Sequence, residues 1–269
     1  MKVMITGAAG GLGYAMAVEC ARRGYTLFLT DINAAALATI REGLSRRFCA
    51  KIYAESCDLT DSAGVDALMA EIDRLGLRFD MLLNIAGIDY EGGFLRRERE
   101  KIVRIVALND EGTLRVTHAV LQRRNPDARF CIVVVSSLAA LFPMPLKATY
   151  AASKRFLMDF GMALRQELKG QGANVLTLCP SGLSTNDEVC AAISAQGIAG
   201  ALTTNAMERV VRKTLDLAWK GRARYIPGAF NRFLFLLGKV FPASWTAALI
   251  FRRWTQTQKK WLYPTEIPS

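Results

Sequence analysis

A single histidine, His118, is all that this chain of 269 residues contains. One imidazole inside a predicted helix excludes poly-histidine metal sites and leaves a Ser-His-Asp triad without a well-placed base. The six cysteines, at positions 20, 49, 57, 131, 179 and 190, form no Cys-x-x-Cys pair. That removes the usual thiolate metal and redox spacings, so no metal site is expected. No apolar run reaches the ~20 residues that span a bilayer. Acidic residues are missing from one region altogether: positions 217 to 265 hold nine Lys or Arg and no Asp or Glu. With Glu266, residues 217–269 carry +8 of the net +11, leaving +3 for the first 216. The basicity thus belongs to a C-terminal tail. Its cations are interleaved with bulky aliphatics that want burial, so nucleic acid is not the expected partner. Met1 runs straight into an apolar strand, so no secretory leader is expected. Scattered thiols then read as reduced, in a cytoplasmic protein.

What is present is a regular alternation. With 51% apolar residues the chain can bury one sizeable core, as one domain with an appendage. Strands are predicted at 2–5, 25–30, 51–56, 79–83, 130–135 and 174–179. Helices are predicted at 12–23, 34–48, 62–75, 98–123 and 150–169. Strands alternating with helices of this length give an α/β fold, a doubly wound parallel sheet of the Rossmann type with right-handed crossovers.

The first strand ends in TGAAGGLG, residues 6 to 13. A glycine-rich turn opening a helix is an anion site, because unpaired N–H groups and the helix dipole point outward there. Its spacing is Gly7-x-x-x-Gly11-x-Gly13. Asp31 follows at the end of the second strand, where a carboxylate accepts from a ribose 2′-OH and repels a 2′-phosphate. No Arg or Lys in the turn or directly after Asp31 would capture that phosphate, so NAD is expected over NADP. Asp31 could instead cap the next helix.

Residues 130 to 154 read FCIVVVSSLAALFPMPLKATYAASK. A buried strand gives out into Ser136 and Ser137, and a helix then carries Tyr150 and Lys154 on one face. A fixed ammonium favours a phenolate, so Lys154 is expected to lower the pKa of Tyr150.

Taken together these motifs resemble the classical short-chain dehydrogenases/reductases, in the right order over residues 1 to 227. TGAAGGLG resembles that family's cofactor loop, which assigns Thr6, Gly7, Gly11, Leu12 and Gly13 to the cofactor. CDLTD resembles its adenine-side segment, with Asp58 and Leu59. NIAG resembles its Asn-Asn-Ala-Gly motif, with Asn84, Ala86 and Gly87. Asn109 in LNDEG resembles its helix asparagine, and Ser137, Tyr150 and Lys154 its catalytic centre. PSGLST resembles its Pro-Gly segment, with Pro180 and with Thr185 at the nicotinamide amide. The resemblance implies that Tyr150 is the general acid/base and Ser137 positions the substrate oxygen. It also implies that Lys154 tunes Tyr150 and holds the nicotinamide ribose, and that Asn109 supports a water joining Lys154 to solvent. Three positions depart from the pattern: Ile85 for asparagine, and Ala140 and Ser181 for glycine.

The expected activity is interconversion of a secondary alcohol and a ketone with NAD(P), on an apolar substrate such as a hydroxysteroid or lipid-like carbonyl. The rival reading is a non-catalytic NAD-binding sensor or scaffold working through its basic tail. Residues 1–227 would form the catalytic domain and 228–269 a helical extension. Trp245, Ala248 and Leu249 share one face of that extension, and basic residues flank it. The extension reads as a substrate lid, as an oligomer interface in a homodimer or homotetramer, or as a peripheral membrane contact through 229–263.

Overall fold

A computed structural model describes residues 1–181, 206–238 and 240–257. Seven parallel strands form one sheet in the order β3-β2-β1-β4-β5-β6-β7. They are β1 (Lys2–Thr6), β2 (Thr26–Asp31), β3 (Ile52–Ser56), β4 (Met81–Asn84), β5 (Phe130–Val135), β6 (Ala173–Leu178) and β7 (Arg224–Tyr225). Helices α1 (Gly11–Arg22), α2 (Ala34–Phe48), α3 (Ser62–Arg74), α4 (Arg99–Val106), α5 (Thr113–Leu121), α6 (Ala148–Glu167) and α7 (Met207–Trp219) flank the sheet. Two more, α8 (Ala229–Leu237) and α9 (Ala243–Thr257), follow β7.

The chain order β1–β2–β3 runs outward one way and β4–β7 the other, so the strand order reverses between β1 and β4. Ligands in such sheets bind at that point, beyond the carboxyl ends of the strands. Every residue of β5 is buried, as a strand covered on both faces requires. Two apolar cores result. Val3, Ile5, Leu27, Leu83 and Val133 pack on the side of α1 and α7. Met4, Phe28, Leu82, Ile132 and Val134 pack on the side of α3 and α5.

The helix expected over 98–123 runs from Arg99 to Leu121 but changes type within it. A π-helical turn, Ala107–Gly112, separates α4 from α5 and buries Asn109, Asp110 and Gly112. A Cβ at Gly112 would lie 3.1 Å from the Leu59 carbonyl oxygen, so the turn is drawn in against the loop after β3. Helix α6 begins at Ala148 rather than Tyr150, which places Tyr150 in its first turn.

Candidate active site

The glycine turn is shaped by its own packing. Gly7 has φ +65, and a Cβ there would lie 2.7 Å from the Ala86 backbone; a Cβ at Gly13 would lie 2.0 Å from the Gly7 carbonyl oxygen. Turn, helix and the Ala86 strand end therefore close on one another only with glycine. Helix α1 has no side-chain cap at Gly10 and no acid in its first turn, so its free N–H groups face outward. They face a trough of about 870 Å³ lined by Gly10, Gly11, Leu12, Asp31, Asp58 and Gly87, among others.

Asp31 rims this trough. Its Oδ2 accepts from the Ala9 N–H at 3.0 Å and its Oδ1 from the Asn33 N–H at 3.0 Å, tying β2 to the turn. The N-cap of α2 is Asn33, not Asp31: its side chain accepts from the Ala36 N–H at 3.0 Å. Asp58 is held by the Thr60 N–H and hydroxyl and by Arg104 at 3.0 Å. Burial works against its charge, but these donors outweigh it and keep the carboxyl below its ordinary value. Leu59, Ala86 and Gly87 line the trough as well, and Lys101 and Arg104 bring cations to it from α4.

Thr6 and Asn84 lie beneath the trough rather than in its lining. Thr6 Oγ1 accepts from the Ile85 and Ala86 N–H groups at 3.1 and 3.2 Å, and Asn84 Nδ2 donates to Thr117 Oγ1 at 2.8 Å. Ile85 packs against the core on the α1 side, which gives an apolar residue a place where the resemblance has asparagine. Pro180 is buried and its carbonyl accepts from the Leu138 N–H at 2.7 Å. Thr185 and the loop 185–204 lie outside the described residues.

At the ends of β4 and β5 the trough meets the Ser-Tyr-Lys set. Lys154 is 5% exposed; its Nζ donates to the Val135 carbonyl at 3.0 Å and lies 5.7 Å from the Tyr150 ring centre. Ser137 Oγ accepts from the Ala139 N–H at 3.1 Å and lies near enough to Tyr150 to favour its phenolate. A Cβ at Gly87 would lie 3.0 Å from Asn109 Oδ1 and 3.2 Å from Lys154 Nζ, so this trough residue touches the catalytic helix as well.

The expected lowering of the Tyr150 phenol comes out differently. Burial, reinforced by the Asp89 carboxylate, pushes the Tyr150 phenol up to about 12 rather than down, with Ser137 and Lys147 pulling the other way. Burial also brings Lys154 down to about 8, against the pull of Asp110 and Asp89. Asn109 is buried in the π-helical turn. Its Oδ1 accepts from the Ile88 N–H at 2.8 Å, and its Nδ2 donates to the Ile88 carbonyl at 3.0 Å and to Ser153 Oγ at 3.1 Å.

Several residues here had no sequence signal. Lys147 pairs with Asp89 at 2.6 Å and Glu91 at 2.5 Å. Asp110, in the π-helical turn, is raised by burial to about 7 although Lys154 opposes the rise. Ser181 accepts from Asn231 Nδ2 at 2.9 Å, which stitches α8 to the segment after β6. A Cβ at Gly238, just past α8, would lie 2.9 Å from the Phe142 ring, so α8 seats on the loop that carries Ser137. Only the lysine three residues before Tyr150 could have hinted at the first of these. Among the described residues no group of three or more His, Cys, Asp or Glu is placed to hold a metal.

A family profile described as short chain dehydrogenase matches residues 1–192. The chain belongs to the short-chain dehydrogenase family. This dehydrogenase is 33% identical over 177 residues to a very-long-chain 3-oxoacyl-CoA reductase of Neurospora crassa, a match covering 64% of this chain and 53% of that protein. It therefore spans about half the length of the curated relatives it matches. Among solved structures it resembles a 3-oxoacyl-[acyl-carrier protein] reductase of Brucella melitensis determined with bound NAD. The TM-score is 0.73 at 28% identity, covering 84% of this chain and 89% of that one.

Proposed function

We propose that this short-chain dehydrogenase is an NADH-dependent reductase of an apolar ketone, with residues 1–227 as its catalytic domain and 228–269 as an extension beside the substrate entrance. The observation that carries this is Gly87, which lines the trough and, at its Cα, closes on Lys154 Nζ and Asn109, so that the trough abuts the helix bearing Tyr150 and Lys154. The free N–H groups of α1 suit a pyrophosphate, and Asp31 suits a ribose 2′-OH, so Gly7–Gly13, Asp31, Asp58, Leu59, Ala86 and Gly87 would hold NAD. Pro180 and Thr185 would complete the nicotinamide end. A bound nicotinamide supplies the hydride. Tyr150, protonated at neutral pH, donates its proton to the substrate oxygen as the carbonyl carbon is reduced. Ser137 hydrogen-bonds the same oxygen and stabilises the charge gathering there. Lys154 then stabilises the phenolate left behind, and the proton returns from solvent. A scaffold that merely senses NAD has no need of a serine, a tyrosine and a lysine set together in this way.

Both relatives are named for 3-oxoacyl thioesters, which are apolar ketones; among lipid-like carbonyls this favours a 3-oxoacyl chain over a hydroxysteroid. The test is NADH consumption by purified protein against 3-oxoacyl thioesters and steroid ketones in parallel. Turnover of the acyl substrates is expected, and no turnover of any ketone would defeat the reading. Tighter binding of NADPH than NADH would defeat the role given to Asp31. A homo-oligomer paired through α4 and α6 fits Phe156, exposed on α6 and stacked on Phe160 with ring centres 6.1 Å apart.

The extension supports a second reading, contact with an anionic membrane surface. No described helix is long and apolar enough to cross a membrane. The outward face of α9 nonetheless leaves Trp245 and Leu249 each 71% exposed, ending at exposed Arg252. Phe233, Leu236 and Phe241 add apolar surface from α8 and the turn after it. Aromatics and aliphatics rimmed by cations, with no acid, suit an anionic lipid interface. Co-sedimentation with vesicles of neutral lipid, with and without anionic lipid, tests this. Binding that needs anionic lipid and is lost in Trp245→Ser/Leu249→Ser is expected, and no binding to either vesicle would end it.

A further inference from the structure

Three positions of this chain depart from the pattern its motifs resemble, and two of them bear on α8. Ser181, where that pattern has glycine, accepts at its Oγ from Asn231 Nδ2 at 2.9 Å. Ala140, the other position where glycine is replaced, is buried in a small apolar cluster with Met158, Cys179 and Ile226. Phe235 of α8 packs against that cluster. Glycine offers neither the hydroxyl nor the methyl that these contacts use. Ile85 is the exception, since it packs on the α1 side of the sheet. No step of the proposed reaction draws on α8.

Asn231 itself is firmly held. It lies in the first turn of α8, after Gly228 at φ +86 has turned the chain out of β7, and it is 1% exposed. Its Nδ2 donates to the Pro227 carbonyl at 2.8 Å as well as to Ser181. A carbonyl can only accept, so the amide nitrogen is the atom turned to both partners. The far end of α8 rests on a different loop, where a Cβ at Gly238 would lie 2.9 Å from the Phe142 ring. Between the two ends, Arg224 of β7 sits over the Phe235 ring, 4.7 Å from its centre. The two segments that α8 touches also meet each other: the Leu138 N–H, next to Ser137, donates to the Pro180 carbonyl at 2.7 Å. Residues 137–142, residues 180–181 and α8 thus close a triangle of contacts beyond the carboxyl ends of β5, β6 and β7.

We propose that Asn231 is a positioning residue of the active site: through Ser181 it fixes the segment that borders the nicotinamide, which makes α8 part of the catalytic frame. This rests on Pro180 standing at the nicotinamide end, as proposed above. Asn231 would act through Ser181 and not on the cofactor itself. The side chains at 140 and 181 are then a single adaptation, since each gives α8 a contact that glycine would not. Loss of the Asn231–Ser181 bond lets the segment shift, and a displacement of about 1 Å near a reacting centre costs up to about 10²-fold in rate.

The test compares two ligands that differ only at the nicotinamide. ADP-ribose carries the adenosine, the pyrophosphate and the second ribose of NADH without the ring. Calorimetry on the full chain gives the affinity of each for wild type, Asn231→Ala, Ser181→Ala and Ser181→Thr. NADH affinity is expected to fall about fivefold in either alanine variant, while that for ADP-ribose stays within about twofold of wild type. Ser181→Thr keeps the hydroxyl and is expected to recover most of the loss. The double alanine variant should bind NADH no worse than the weaker single variant, because both remove the same bond. In ketone reduction, kcat is expected to fall in the alanine variants by more than KM changes. A brace that is only structural would lower Tm and leave the ratio of NADH to ADP-ribose affinity where it was. An unchanged ratio, whether neither affinity falls or both fall equally, overturns the proposal. Should Asn231→Ala not fold, Ser181→Ala reads the same ratio. Wild type that binds NADH but reduces no ketone would sink the reductase reading and leave the ratio to decide this proposal. Wild type that binds no NADH would sink the cofactor reading and this proposal with it.

Discussion

The trough and the C-terminal helix pair are built by opposite rules. In the trough the backbone itself is the constraint: Gly7, Gly13 and Ala86 close on one another with no room for a methyl group, and Thr6 Oγ1 ties two N–H groups beneath. In α8 and α9 the inner face is fastened by Asn231 and Gly238, while Phe233, Leu236, Trp245 and Leu249 are left exposed. One region tolerates almost no substitution because its shape is its function. The other keeps large apolar side chains exposed among the described residues, where shape constrains substitution far less.

The contrast is broken most directly in the trough. Gly13→Ala would put a methyl 2.0 Å from the Gly7 carbonyl oxygen and is expected to cost more than ~3 kcal/mol in denaturant unfolding, with nucleotide binding lost. Asn109→Ala leaves both backbone groups of Ile88 without their partners. A loss of about 2–3 kcal/mol is expected, together with a fall in kcat, because the segment after Gly87 loses its tie to the π-helical turn.

Asp110→Asn gives an effect of the opposite sign. Burial holds this carboxyl near 7, above its ordinary value of about 4. Between those two values the unfolded chain ionises Asp110 while the fold keeps it protonated, so its contribution to stability falls as pH rises from about 4 to 7 and is level above that. The amide removes this loss. A gain in Tm is therefore expected that is larger at pH 8 than at pH 4. The smallest effect belongs to the other region: Trp245→Ser should leave unfolding free energy within ~0.5 kcal/mol of wild type. A large loss there would mean that α9 is packed, and the comparison would fail.

The two regions also differ in how far they could be read from sequence. The strand–turn–helix start, Asp31 at the end of β2 and the Ser137–Tyr150–Lys154 spacing are set by local backbone geometry, which is written in consecutive residues. That the sheet is parallel followed from the alternation of strands with helices. What stayed hidden depends on contacts across long separations. Lys147 meets Asp89 from 58 positions away, and Ser181 meets Asn231 from 50. The π-helical turn at Ala107–Gly112 hides inside an unbroken helical pattern, because one extra residue in a turn leaves the apolar spacing nearly unchanged. Burial hid the direction of the Tyr150 shift: four-residue spacing puts an ammonium near a phenol without saying how much water either retains.

The central claim is that Tyr150 gives its proton to a ketone held beside the trough. Its most direct test is single-turnover reduction of a 3-oxoacyl thioester by Tyr150→Phe, with NADH binding measured on the same sample. A rate reduced by at least ~10³-fold with NADH affinity unchanged is the predicted result. Turnover close to wild type would contradict the account.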